Sequence, residues 1–160
     1  MAVSPVIDAA FDTVTSYITG QNADGAQLAR GHDSDFITAN GAVAEGDVLV
    51  RVVPTATQDC RVAKGGATPG VWTIAGIART PAAAAGRVVE VCTGGYTLVN
   101  VGSTTPAAGD VAIVSATAGQ ADVIAAGTGI VAATLVGSVL GEYMGVKNAA
   151  NLALIYMRQM

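Results

Sequence analysis

The sequence predicts a mainly β protein, a small barrel- or sandwich-type domain preceded by an N-terminal arm. Three observations carry that prediction. After Gly41 the chain is a succession of short Val-rich runs broken at close intervals by Gly, Pro and Ala-Gly pairs, as small all-β domains read. Before Gly41 no period-two alternation is sustained. Composition sets the third: 51% of the 160 residues are hydrophobic, yet only 4% are aromatic and 12% charged. One domain of this size buries about two-thirds of its unfolded surface, so its core must be built from Val, Ile, Leu and Ala under a surface poor in charge.

Residues 1–40 read as an arm and connecting loop, and residues 41–160 as the β-rich domain. Within the arm, Phe11, Val14 and Ile18 follow Asp8 at helical spacing, while Thr13, Thr15 and Thr19 lower the propensity. A short helix and an extended segment that orders on a partner both satisfy this pattern. The GHDSDF stretch clusters His32, Asp33 and Asp35, with Asp24 nearby. Oxygen ligands at alternate positions can open a divalent-cation loop, but no downstream Glu completes it. A solvated acidic loop is expected, and no metal.

Eight segments supply strands: EGDVLVRVV, VWTIAGIA, GRVVEVC, YTLVNVG, GDVAIVSA, ADVIAA, TLVGSVLG and NLALIYMRQ. Each is short and β-branched, as strands are. Between the second and third lies TPAAAAG. Alanine favours helix, but Pro81 removes a donor and Gly86 permits a turn, so a small-residue corner is expected. Gly46-Asp47-Val48, Gly86-Arg87-Val88 and Gly109-Asp110-Val111 each open an apolar alternation. Their unequal spacing suggests similar corners and not a solenoid.

Chemistry finds little support. Gly127, Gly129 and Ala132 match the dinucleotide spacing GxGxxA after the ADVIAA run, but a β-branched, Gly-broken segment follows where that fold needs a helix. A turn is the better reading. One His must serve any triad, and no Ser or Cys sits in a nucleophile context. No enzyme activity and no cofactor are expected. A net charge of −4 without a basic run argues against nucleic acid, and no apolar run reaches the roughly 18 residues of a membrane span. Asp8 and Asp12 interrupt any signal-peptide core. Cys60 and Cys92 lie outside CxxC spacing and are expected as reduced thiols.

The few aromatics stand out. Trp72 and Tyr96 read as core plugs or interface anchors, while Tyr143, Tyr156, Met157 and Met160 are candidates to cover a subunit seam. Trp72, Tyr143 and Tyr156 are the seam residues to test.

The order of motifs resembles the head decoration, or capsid cement, proteins of tailed bacteriophages. A GD-V strand, AEGDVLVRV, is followed by a strand ending Gly76-Ile77-Ala78. Next come an A-x-x-G turn into a V-x-V strand, a strand opening Gly95-Tyr96-Thr97-Leu98, a second GD-V strand in PAAGDVAIV, the V-G-x-[VL] run of TLVGSVLG and a closing NLALIYM. The resemblance covers about Gly41 to Met160, and the arm is longer than the family's short lead.

The resemblance implies a β-barrel or β-tulip-like domain that forms a homotrimer on the outer capsid surface of a virion and clamps neighbouring copies of the major capsid protein. Val3, Pro5, Val6, Ile7 and Phe11 are then the arm residues expected to contact the capsid, by adding a strand to an exposed sheet edge. The alternative is a trimeric head-fibre or host-surface (glycan) binding module.

Overall fold

The computed structural model describes residues 32–52, 60–66, 74–127 and 139–157. Among these the protein is all-β: β1 (His32–Thr38), β2 (Val48–Val52), β3 (Arg61–Lys64), β4 (Ile74–Ala78), β5 (Val88–Asn100), β6 (Val111–Val114), β7 (Ala121–Ile124), β8 (Val139–Tyr143) and β9 (Leu152–Met157). All ladders between these strands are antiparallel, joining β3-β2-β4-β5 and β5-β9-β8-β6-β7 into one curled sheet, with β1 also on β5. Ala39, just past β1, forms a parallel bridge with Val62 of β3. That bridge brings β1 round to the far end of the β3-β2-β4-β5 run, so the sheet curls toward closure as a small barrel does.

The expected small β-barrel-like domain is therefore present, with three corrections to its parts. Residues 32–38, expected within an acidic loop, form β1 along the first half of β5; the backbone ladder of β5 captures them whatever the side-chain polarity. The runs GRVVEVC and YTLVNVG form one strand of 13 residues, because Gly94 and Gly95 carry the chain through without ending its pairing. The RVAK strand β3 has no apolar alternation and was not expected; it is recruited by β2. TPAAAAG does form a corner: Ala82 pairs with Val43, and Ala83 to Gly86 are exposed bends and turns.

The sheet is two copies of one five-strand unit sharing β5. In the first unit, β2 pairs with β3 and β4, and β4 with the first half of β5, which pairs with β1. In the second, β6 pairs with β7 and β8, and β8 with β9, which pairs with the second half of β5. Irregularities repeat too. A register shift falls between Leu49 and Val50 of β2, and between Ala112 and Ile113 of β6.

Equivalent cores fill the two units. Ile37, Ala39, Leu49, Val62, Ala75, Ala78, Val89 and Val91 belong to one cluster. Their counterparts by register, Val99, Val101, Ala112, Ala121, Leu140, Tyr143, Ala153 and Ile155, belong to the other. The second core also takes in Val48, Ile77 and Cys92 of the first unit, on the strand faces opposite Leu49, Ala78 and Val91. Fully burying each Val, Leu or Ile side chain contributes about 1.5–3 kcal/mol before entropy is charged, so this shared cluster ties the units together.

Candidate interaction surfaces

The corners preceding β2 and β6 are the best-defined polar features, and they are copies. Ala44 N–H donates to Asp47 Oδ2 (2.7 Å) and Ala107 N–H to Asp110 Oδ2 (2.8 Å). The backbone closes the same turn, with Asp47 N–H on the Ala44 carbonyl and Asp110 N–H on that of Ala107. Gly46 and Gly109 hold the left-handed backbone each turn requires, at φ 82° and 89°. Gly46 N–H reaches the Ala78 carbonyl and Gly109 N–H that of Tyr143, each 2.8 Å.

The two carboxylates then differ. Asp47 is buried and pairs with Lys64 Nζ at 2.8 Å. Asp110 takes a second backbone donor, Ala126 N–H, at Oδ1 (2.9 Å). Donation from Ala107 and Ala126 stabilises its anion and holds its pKa below the usual carboxylate range. Both acids serve turns, which leaves no free acid–base pair here.

Among the described residues no group of three or more His, Cys, Asp or Glu is placed to hold a metal, and Asp35 is an exposed position on β1. Cys60 is exposed and Cys92 buried, both free thiols; burial raises the Cys92 pKa. Gly127 lies in the turn after β7, whereas Gly129 and Ala132 lie outside the described residues. So do Val3, Pro5, Val6, Ile7, Phe11 and Trp72.

Of the seam aromatics, Tyr143 is fully enclosed by its own chain, its hydroxyl donating to the Asp122 carbonyl at 3.1 Å. Burial pushes its pKa far above that of an ordinary phenol. It has no surface to give a seam. Tyr156 is 46% exposed and packs against Tyr96, ring centroids 5.0 Å apart.

Register places Tyr156 in a row across the outer face of the second unit: Ile124, Val111, Glu142, Tyr156, Tyr96. Val139 lies beside it, opposite Ile113. The counterpart row of the first unit, Val48, Ile77 and Cys92, is wholly buried. Sequence reasoning missed this contrast because the same alternation marks both faces. It also missed Phe36 and Val88, exposed on β1 and the start of β5; the acidic neighbours of Phe36 hid it inside a supposed loop.

Taken together, the fold and these surfaces define an all-β domain with apolar sheet faces and no assembled catalytic or metal centre among the described residues. No family model matches the sequence, and no curated protein does. A solved structure shares the fold: the head fiber gp8.5 N base of bacteriophage phi29 is similar over 79% of this chain and 93% of that one, with a TM-score of 0.51 and 12% sequence identity.

Proposed function

We propose that the chain is a non-enzymatic structural protein of a bacteriophage virion, carried on the phage head. The observation supporting this reading is the fold shared with a head-fiber base across most of both chains. The sequence resemblance to head decoration proteins leads independently to the same part of a virion. In this reading three copies sit on the outer capsid surface and cement neighbouring major capsid proteins. Their arms, through Val3, Pro5, Val6, Ile7 and Phe11, add strands to capsid sheet edges. Three arms on one body act at high effective concentration, so modest single-arm affinity suffices.

A second reading, favoured by the nature of the structural neighbour, is that the domain is the base of a head fibre or host-surface binding module. Sedimentation with purified expanded capsids tests both. Saturable binding that is lost on deletion of residues 1–20, together with a raised capsid disruption temperature, is the cement outcome. Binding without added capsid stability favours the fibre base. No association of the intact chain with capsids overturns the head reading.

A further inference from the structure

Asn40 and Gly41 form the one Asn-Gly step in the chain. In a hairpin such a pair supplies left-handed backbone to a tight turn, but neither residue holds a positive φ here. Asn40 is exposed in the bend that follows β1. A Cβ added to Gly41 would meet nothing within 4 Å, so neither conformation nor space calls for glycine at this position.

The chain on either side is pinned. Ala39 N–H donates to the Arg87 carbonyl and the Ala39 carbonyl accepts from Gly86 N–H, each at 2.8 Å, while Asn40 N–H donates to the Val62 carbonyl at 2.7 Å. Val43 exchanges both backbone hydrogen bonds with Ala82, at 2.8 and 2.9 Å. Between these anchors the Gly41 N–H and the Asn40 side-chain amide make no hydrogen bond among the described residues. The other described asparagines differ. Asn100 Oδ1 accepts from Gly102 N–H, and Asn148 Oδ1 from Ala150 and Leu152 N–H. Val101, Ala149 and Leu152 follow Asn100, Asn148 and Asn151, each with a Cβ that crowds its own backbone nitrogen, as glycine has not.

We infer that Asn40 is a self-modification site, at which the folded protein converts the side-chain amide to a carboxylate through attack by the Gly41 backbone nitrogen. Solvent base takes the Gly41 N–H proton, the nitrogen bonds to the Asn40 side-chain carbonyl carbon, and a succinimide ring closes. The bond from that carbon to the amide nitrogen breaks, and the nitrogen leaves as ammonia with a proton returned from solvent. Water then opens either ring carbonyl and restores the Gly41 N–H. One opening leaves aspartate; the other leaves isoaspartate, with the backbone running through the β-carbon. Amide and water thus become carboxylate and ammonium, with no other reactant. Only the Gly41 N–H and the Asn40 side chain react, so every anchoring hydrogen bond survives. The product adds a negative charge to a chain whose formal net charge is −4, on the exposed connector between Ala39 and Val43. The inference holds whatever the domain binds.

The test ages the intact chain in mildly alkaline buffer beside the same chain unfolded in guanidinium, and beside Gly41→Ala, which the open space at Gly41 accommodates. Peptide mapping by mass spectrometry scores each asparagine. Ion exchange scores the added charge against Asn40→Asp, and thermal unfolding follows the fold. Asn40 of the folded chain is expected to convert as completely as in the unfolded chain, to aspartate and isoaspartate, and faster as pH rises. Asn100, Asn148 and Asn151 are expected to keep their amides in the folded chain, and the melting temperature to stay unchanged. Gly41→Ala is expected to lose most of the conversion. An Asn40 that stays an amide in the folded chain while the unfolded chain converts overturns the inference. Equal conversion at the other three asparagines or in Gly41→Ala also overturns it, and so does a melting temperature that falls as Asn40 converts.

Discussion

Gly76 and Gly141 occupy the same place in the two units, each running so close to the next strand that a side chain has no room. A Cβ on Gly76 would strike the Cys92 carbonyl oxygen, and a Cβ on Gly141 the Tyr156 carbonyl oxygen. Cys92 and Tyr156 are themselves register equivalents, the partners of Ile77 and Glu142. Backbone cannot yield as a flexible side-chain tip does, so Gly→Ala at either site should destabilise by about 2–4 kcal/mol. Gly76→Ala should be the worse, since φ there is 141°, which L residues avoid. Urea midpoints of the two variants measure the order.

Acid should weaken the Asp110 corner. Its folded pKa lies below the usual value, so its contribution is complete above the ordinary Asp range near pH 3.9. That contribution is lost as pH falls through the folded pKa. Asp110→Asn should therefore melt below the parent protein at neutral pH, with the gap narrowing below about pH 4. Melting temperatures from pH 7 to 2.5 check this; a gap constant with pH refutes it.

Arg79 and Glu90 form an ion pair at 2.6 Å, their side chains 6% and 19% exposed. Removing one partner takes this counter-charge from a largely desolvated group, at a cost of up to about 3–5 kcal/mol. Glu90→Ala should show that loss in denaturant unfolding. The double variant Arg79→Met, Glu90→Leu should recover most of it, because paired apolar replacements remove both charges of the pair together.

The two thiols should separate in time. Exposed Cys60 should react with an aromatic disulfide reagent within the mixing period, while buried Cys92, its pKa raised, should react only as the sheet opens. One fast and one slow equivalent are expected, and both become fast in denaturant. Two fast equivalents in native buffer would contradict the burial of Cys92.

The sequence carried the strand inventory well where apolar alternation met glycine punctuation, as at Gly46-Asp47-Val48 and Gly109-Asp110-Val111. It concealed β1 because His32, Asp33 and Asp35 are polar, and an edge strand needs backbone pairing more than hydrophobic side chains. The duplication was hidden for a different reason. Gly109 follows Gly46 by 63 residues, but Gly86, with a similar local pattern, stands between them and breaks the period. Gly86 and Asn151 both hold left-handed backbone just before a strand, at φ 83° and 61°, but register aligns Asn151 with Arg87, one residue past Gly86. Side-chain identity changes at most equivalent positions, as from Ala78 to Tyr143, so only register reveals the match. The open surfaces were invisible for want of that match: Val48 and Val111 look alike in sequence, and the fold covers one and leaves the other half-covered.

Gly95 is the register partner of both His32 and Met157. Paired Cα atoms lie within about 5.5 Å, so the start of β1 and the end of β9 are no more than about 11 Å apart. Four residues of linker span that gap. The folded body can therefore be made with its strands in a new order, Met157 joined to His32 and fresh ends opened at the exposed Ser103–Thr104 loop. Such a permutant separates topology from attachment: it would assemble the same sheet while carrying the arm at a different corner, or none at all.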